Sequence, residues 1–127
     1  MRKISAYLLA GTIILVFSGC VEEKTITPTP QTTYYSDIRY MFDIKCATSG
    51  CHAGAEPAAA LNMESYDAIM AGSSHGAMVV PGDAEASLLY RTMVGTSPPI
   101  MPPEGLLPQS LADSVSKWIN DGAFEKP

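Results

Sequence analysis

Cys46-Ala47-Thr48-Ser49-Gly50-Cys51-His52 sets two thiols on either side of four residues and puts a histidine directly after the second. Each thiol can add across a vinyl group to form a thioether. A histidine next to the second thiol can then reach under a porphyrin held there and bond its iron through an imidazole nitrogen, which is what covalent haem attachment requires. The usual spacing has two residues between the cysteines, so the four found here are a departure. Gly50 gives the backbone the freedom to bulge the extra residues outward. Two other readings stay open: a Cys46–Cys51 disulfide that leaves His52 incidental, and half of a zinc site. Zinc wants four nitrogen or sulfur ligands, and only His75 is left to join such a set.

Downstream, Ser97-Pro-Pro-Ile-Met101-Pro-Pro-Glu-Gly105 supplies what a haem iron takes on its other face. A thioether is a soft, uncharged ligand that favours ferrous iron, and paired methionine and histidine ligation raises the reduction potential. Prolines on both sides of Met101 fix φ and reduce the entropy lost when the loop is held. Met41, Met63, Met70, Met78 and Met93 read as core fillers, the ordinary use of methionine. His75 is the rival sixth ligand, but its Gly-Ser surroundings read as a flexible, exposed loop.

Working outward, Ile38, Met41 and Phe42 fall at helical spacing, with Ser36 or Asp37 as the expected cap, and this helix runs into Cys46. Ser65 and Asp83 are expected to cap helices over 65–70 and 84–93, with Gly72 and Gly95 ending them. Leu111, Val115, Trp118 and Ile119 form the stripe of a C-terminal amphipathic helix followed by Gly122. Trp118 is expected to pack on the haem or on the first helix; Tyr66 and Tyr90 read as core or haem-edge residues. No strand and no internal repeat are evident, so the expectation is one all-α domain over 34–127 with one site.

The N-terminus has a different character. Arg2 and Lys3 precede an apolar run from Ala6 to Phe17, and Phe17-Ser18-Gly19-Cys20 closes it. The run is short of the roughly 20 residues of a spanning helix. Residues 1–19 read as a secretion signal whose ending resembles a lipobox, with Cys20 the residue that takes up lipid; a plain signal peptide or an uncleaved anchor are the alternatives. Residues 20–33, with VEEKTITPTPQTT after the cysteine, read as a polar tether. Without residues 1–19 the chain keeps six basic against 13 acidic residues, a net −7. That charge argues against nucleic acid or an anionic lipid surface and suits a basic protein partner. The cysteines of this exported chain then divide into one for lipid and a local pair.

Leu61-Asn-Met-Glu-Ser-Tyr66, Val80-Pro-Gly-Asp83, Ala86-Ser-Leu-Leu-Tyr90, Met101-Pro-Pro-Glu-Gly105 and Trp118-Ile-Asn-Asp-Gly-Ala123 follow the cysteine motif in order. Taken together they resemble the class I c-type cytochromes, especially bacterial lipoprotein or periplasmic domains of the planctomycete-like type, over Tyr34 to Ala123. The resemblance implies a small helical fold wrapped around one haem c, with the terminal helices crossing and the cofactor between a histidine side and a methionine side.

The expectation is therefore an electron carrier, not an enzyme, with Cys46 and Cys51 as thioether donors and His52 and Met101 as axial ligands. It is a monomeric domain held to a membrane by lipid, facing the periplasm or cell surface, and serving redox protein partners, alone or as a module of a larger oxidoreductase. The rivals are a haem gas sensor in which Met101 is displaced, and a non-haem lipoprotein with a Cys46–Cys51 disulfide. No paired acids and no nucleophile with a base suggest an active site.

Overall fold

A computed structural model describes residues 31–127. The signal segment, Cys20 and most of the tether lie outside the described residues. Four helices follow one another: α1 (Tyr35–Lys45), α2 (Tyr66–Ala71), α3 (Leu88–Met93) and α4 (Gln109–Asn120), with a 3-10 turn at Ala58–Ala60. The domain is all-α; no named strand occurs among the described residues.

The apolar stripes seen in the sequence face inward. α4 packs on both α1 and α3, and its Val115, Trp118 and Ile119 are fully buried. From α1 come Tyr35, Ile38, Met41 and Phe42, all buried. Trp118 meets Phe42 edge-on at a 6.1 Å centroid distance and Tyr35 at 6.0 Å, spacings at which aromatic quadrupoles attract. Its Nε1 donates to Phe124 O at 2.9 Å, so the buried indole has its one polar atom satisfied. A second tie holds the same end of the domain, where Thr33 N donates to the Asp121 carboxylate at 2.6 Å.

Two helix starts differ from expectation. α1 begins at Tyr35 with Tyr34 as its cap, and Asp37, three residues in, reaches back to accept from Tyr34 N at 2.8 Å. The acidic residue thus serves the first turn from inside. Asp83 does cap a turn, accepting from Ala86 N at 2.9 Å, but that turn is not continued and α3 starts only at Leu88. The reason lies in Ser87, fully buried, whose hydroxyl donates to Asp83 O at 2.7 Å and accepts from Val80 N at 2.8 Å. Those bonds hold 80–87 as a folded loop. Ser65 behaves as expected, its Oγ accepting from Ala68 N at 3.2 Å.

Candidate functional site

The cysteine segment leaves α1 directly. Cys46 N and Ala47 N both donate to Phe42 O, and the loop closes where His52 N donates to Cys46 O at 3.2 Å. Within it Cys51 N donates to Thr48 O at 3.0 Å, and Gly50 has φ +83°, the sign a type II turn needs at its third residue. The four-residue spacer is therefore taken up by one tight turn. Cys46 and Cys51 are both free thiols. Burial pushes the Cys46 thiol up to about 11, and the nearby Cys51 adds to the rise. No cluster of three His, Cys, Asp or Glu suited to a metal occurs among the described residues.

His52 is oriented from below. Its Nδ1 lies 3.2 Å from Ala58 O and 3.2 Å from Leu61 O. Both are carbonyl oxygens that can only accept, so Nδ1 carries the proton and Nε2 is the nitrogen with a free lone pair. The segment that supplies these carbonyls is held in an unusual shape: Ala59 and Ala60 have φ of 56° and 52°, a left-handed conformation costing roughly 1–2 kcal/mol per residue.

Cys46, Cys51, His52 and Met101 all line one cavity of about 940 Å³. Met101 arrives on the loop after α3, its N–H donating to Thr92 O at 3.0 Å. The apolar wall includes Leu61, Met63, Met78, Leu89 and Met93, all buried. Three of the methionines read from sequence as core fillers thus face the cavity, a role that helical spacing and hydrophobicity do not separate from core.

His75 also reaches the lining. Its loop is tighter than its composition suggests: Ser73 N and Gly76 O pair at 2.9 Å, and Ser74 N donates to Ala59 O at 2.8 Å. At Gly72, φ is +88° and a Cβ would lie 2.6 Å from Gly76 O, so only glycine fits. The histidine is exposed, as expected. Trp118, for which two packing partners were expected, sits against α1 and is not among the cavity's lining residues.

Residues 49–105 match the model of the planctomycete cytochrome C family. The match supports a cytochrome c-like domain over these residues. The matched span takes in Cys51, His52 and Met101 and stops short of Cys46, α1 and α4. No curated protein and no solved structure matches the chain.

A cytochrome c-like domain implies haem c, and the residues present fit that group. The cavity volume is at the upper end of the roughly 300–1,000 Å³ of small-molecule sites. Its wall offers two free thiols, a thioether and an imidazole whose tautomer suits ligation, set in an apolar surround.

Proposed function

We propose that this chain is a lipoprotein-anchored electron carrier holding one haem c, covalently bound through Cys46 and Cys51, with His52 and Met101 as axial ligands. The observation that carries the reading is the sharing of one cavity by these four side chains, joined to the bonding of His52 Nδ1 that leaves Nε2 for the metal. Bound haem supplies one-electron chemistry at iron.

The chain's own part is to hold and to shield. His52 is kept in a single tautomer by two backbone carbonyls. Met101 is positioned by its bond to Thr92 and by flanking prolines, so little of it has to be ordered on ligation. The buried wall of Leu61, Met63, Leu89 and Met93 keeps water from the site, and a low local dielectric favours the less charged, ferrous state. Export and lipid attachment at Cys20 are supported by the N-terminal sequence alone, and the acidic net charge suits basic redox partners.

The test is a visible spectrum of the full chain matured in cells with haem-attachment machinery, then of Met101→Ala. A Soret band and a mass increase of one haem are expected, with the far-red methionine-to-ferric-iron band lost in Met101→Ala while haem is retained. A colourless wild-type protein refutes the cofactor; a far-red band that survives Met101→Ala refutes the sixth ligand.

A further inference from the structure

We infer that Asn62 and Glu64 form a clasp that positions His52 as a metal ligand. The inference deepens the reading of the cavity as a haem site and rests on it. Both acceptors of the His52 Nδ1 proton, Ala58 O and Leu61 O, lie between Gly54 and Glu64. That segment is tied off at its two ends by side chains. Oε2 of Glu64 accepts from Gly54 N at 3.0 Å and from Asn62 Nδ2 at 2.8 Å. Asn62 Nδ2 also reaches Gly54 O at 3.3 Å, and Asn62 Oδ1 accepts from Glu64 N at 2.8 Å. One carboxylate and one carboxamide thus close a loop of ten residues' separation.

Inside the closed loop the backbone is wedged around the histidine. His52 O accepts from Met63 N at 2.8 Å, and Cys51 O accepts from Ala58 N at 2.8 Å. Ala59 and Ala60, between the two carbonyl acceptors, are left-handed, a conformation that persists only where its surroundings impose it. Without the clasp these residues relax, and the carbonyls they separate move away from the imidazole.

The chemistry of the pair matches the task. A carboxylate is acceptor-only and can take two donors on one oxygen, while a carboxamide supplies both the donor and the acceptor that the closure uses. Gly54 N and Asn62 hold the Glu64 carboxyl below its ordinary value, which keeps it ionised. Neither Asn62 nor Glu64 is among the cavity's lining residues, so both act through His52 and are positioning residues.

An imidazole that donates from Nδ1 is a more basic ligand at Nε2, which favours the ferric state. Loosening the clasp therefore shifts the reduction potential in the positive direction. Removing the Glu64 charge acts in the same sense, so Asn62→Ala, which opens the clasp with no change of charge, isolates the geometric effect.

The experiment uses the full chain matured in a haem-attaching host, comparing wild type with Asn62→Ala, Glu64→Ala and, as a charge control on an exposed carboxylate outside the clasp, Glu85→Ala. Positive shifts are expected for Asn62→Ala and Glu64→Ala, with haem content and the far-red band retained and Glu85→Ala at the wild-type potential. If Asn62→Ala does not mature, Asn62→Ser carries the same expectation. An unshifted potential at position 62, or a Glu85→Ala shift as large as that of Glu64→Ala, overturns the inference. If the wild-type chain takes up no haem, the cofactor reading falls by itself. A chain that is folded without haem, shown by a helical, cooperative far-UV melt, then reads the clasp by ¹⁵N NMR of His52: a single Nδ1-protonated tautomer that becomes mixed in Asn62→Ala supports it, and the same tautomer populations in both chains overturn it.

Discussion

Around α1 and α4, four aromatic rings close on one another; elsewhere in the same domain, loops and α3 wall a cavity. In the first region Tyr35, Phe42, Tyr66 and Trp118 pack ring to ring at 5.7–6.1 Å. These residues come from helices, and the chain's own atoms fill the space they enclose. In the second region the wall is built from the Cys46–His52 turn, the Gly72–Gly76 turn and the proline-flanked Met101. There the side chains on offer are thiols, thioethers and an imidazole. The contrast teaches that one region is specified by self-packing and the other by complementarity to a group the chain does not encode.

The most severe way to break this division is Cys46→Ala with Cys51→Ala. A domain of this size has little apolar core to spare, and a porphyrin bound in the cavity would supply much of the missing apolar contact. The double variant is expected to lose covalent haem altogether and, by far-UV circular dichroism, to melt without a cooperative transition. The unaltered chain made without attachment machinery should behave alike. A fully helical, cooperative melt in both would show that the aromatic region suffices for the fold.

Striking the other region should cost less but remain large. Trp118 is fully buried and bonded to Phe124 O, and truncation of such a residue costs about 3–5 kcal/mol. Trp118→Ala in the haem-loaded protein is expected to lower the unfolding free energy by that amount, read as a lower urea midpoint at an unchanged slope, with the far-red band intact below the transition. Loss of that band in the folded state would mean that the two regions are not separable.

The aromatic region was the more legible of the two, and the reason is periodicity. Leu111, Val115, Trp118 and Ile119 recur at helical spacing because one face must be buried, and three of them are fully so. The motif residues of the site were legible for a different reason, since Cys46, Cys51, His52 and Met101 are chemically distinctive and α1 and the proline run deliver them to one cavity. What stayed hidden was any feature that depends on a contact. Met63, Met78 and Met93 are as apolar facing a cavity as facing a core. The late start of α3 depends on the bonds of a buried Ser87. The clasp of Asn62 and Glu64 joins residues whose spacing carries no pattern, and the turn bearing His75 is tied to Ala59 by a backbone bond.

The smallest expected effect tests how complete the self-packing is. Tyr35 is buried, and its hydroxyl has no hydrogen-bond partner among the described residues. Burial, the largest influence, raises its pKa and keeps the phenol neutral. An unmet buried hydroxyl costs about 1–3 kcal/mol, whereas its removal with the ring left in place is neutral or stabilising. Tyr35→Phe keeps the stack on Phe42, 5.9 Å away with planes 20° apart. The unfolding free energy of the haem-loaded variant, read from the urea midpoint and slope, is therefore expected to equal or exceed that of wild type, within about 1 kcal/mol. A clear drop would mean that the hydroxyl is satisfied by buried water, and that the aromatic region, too, is completed by something the chain does not supply.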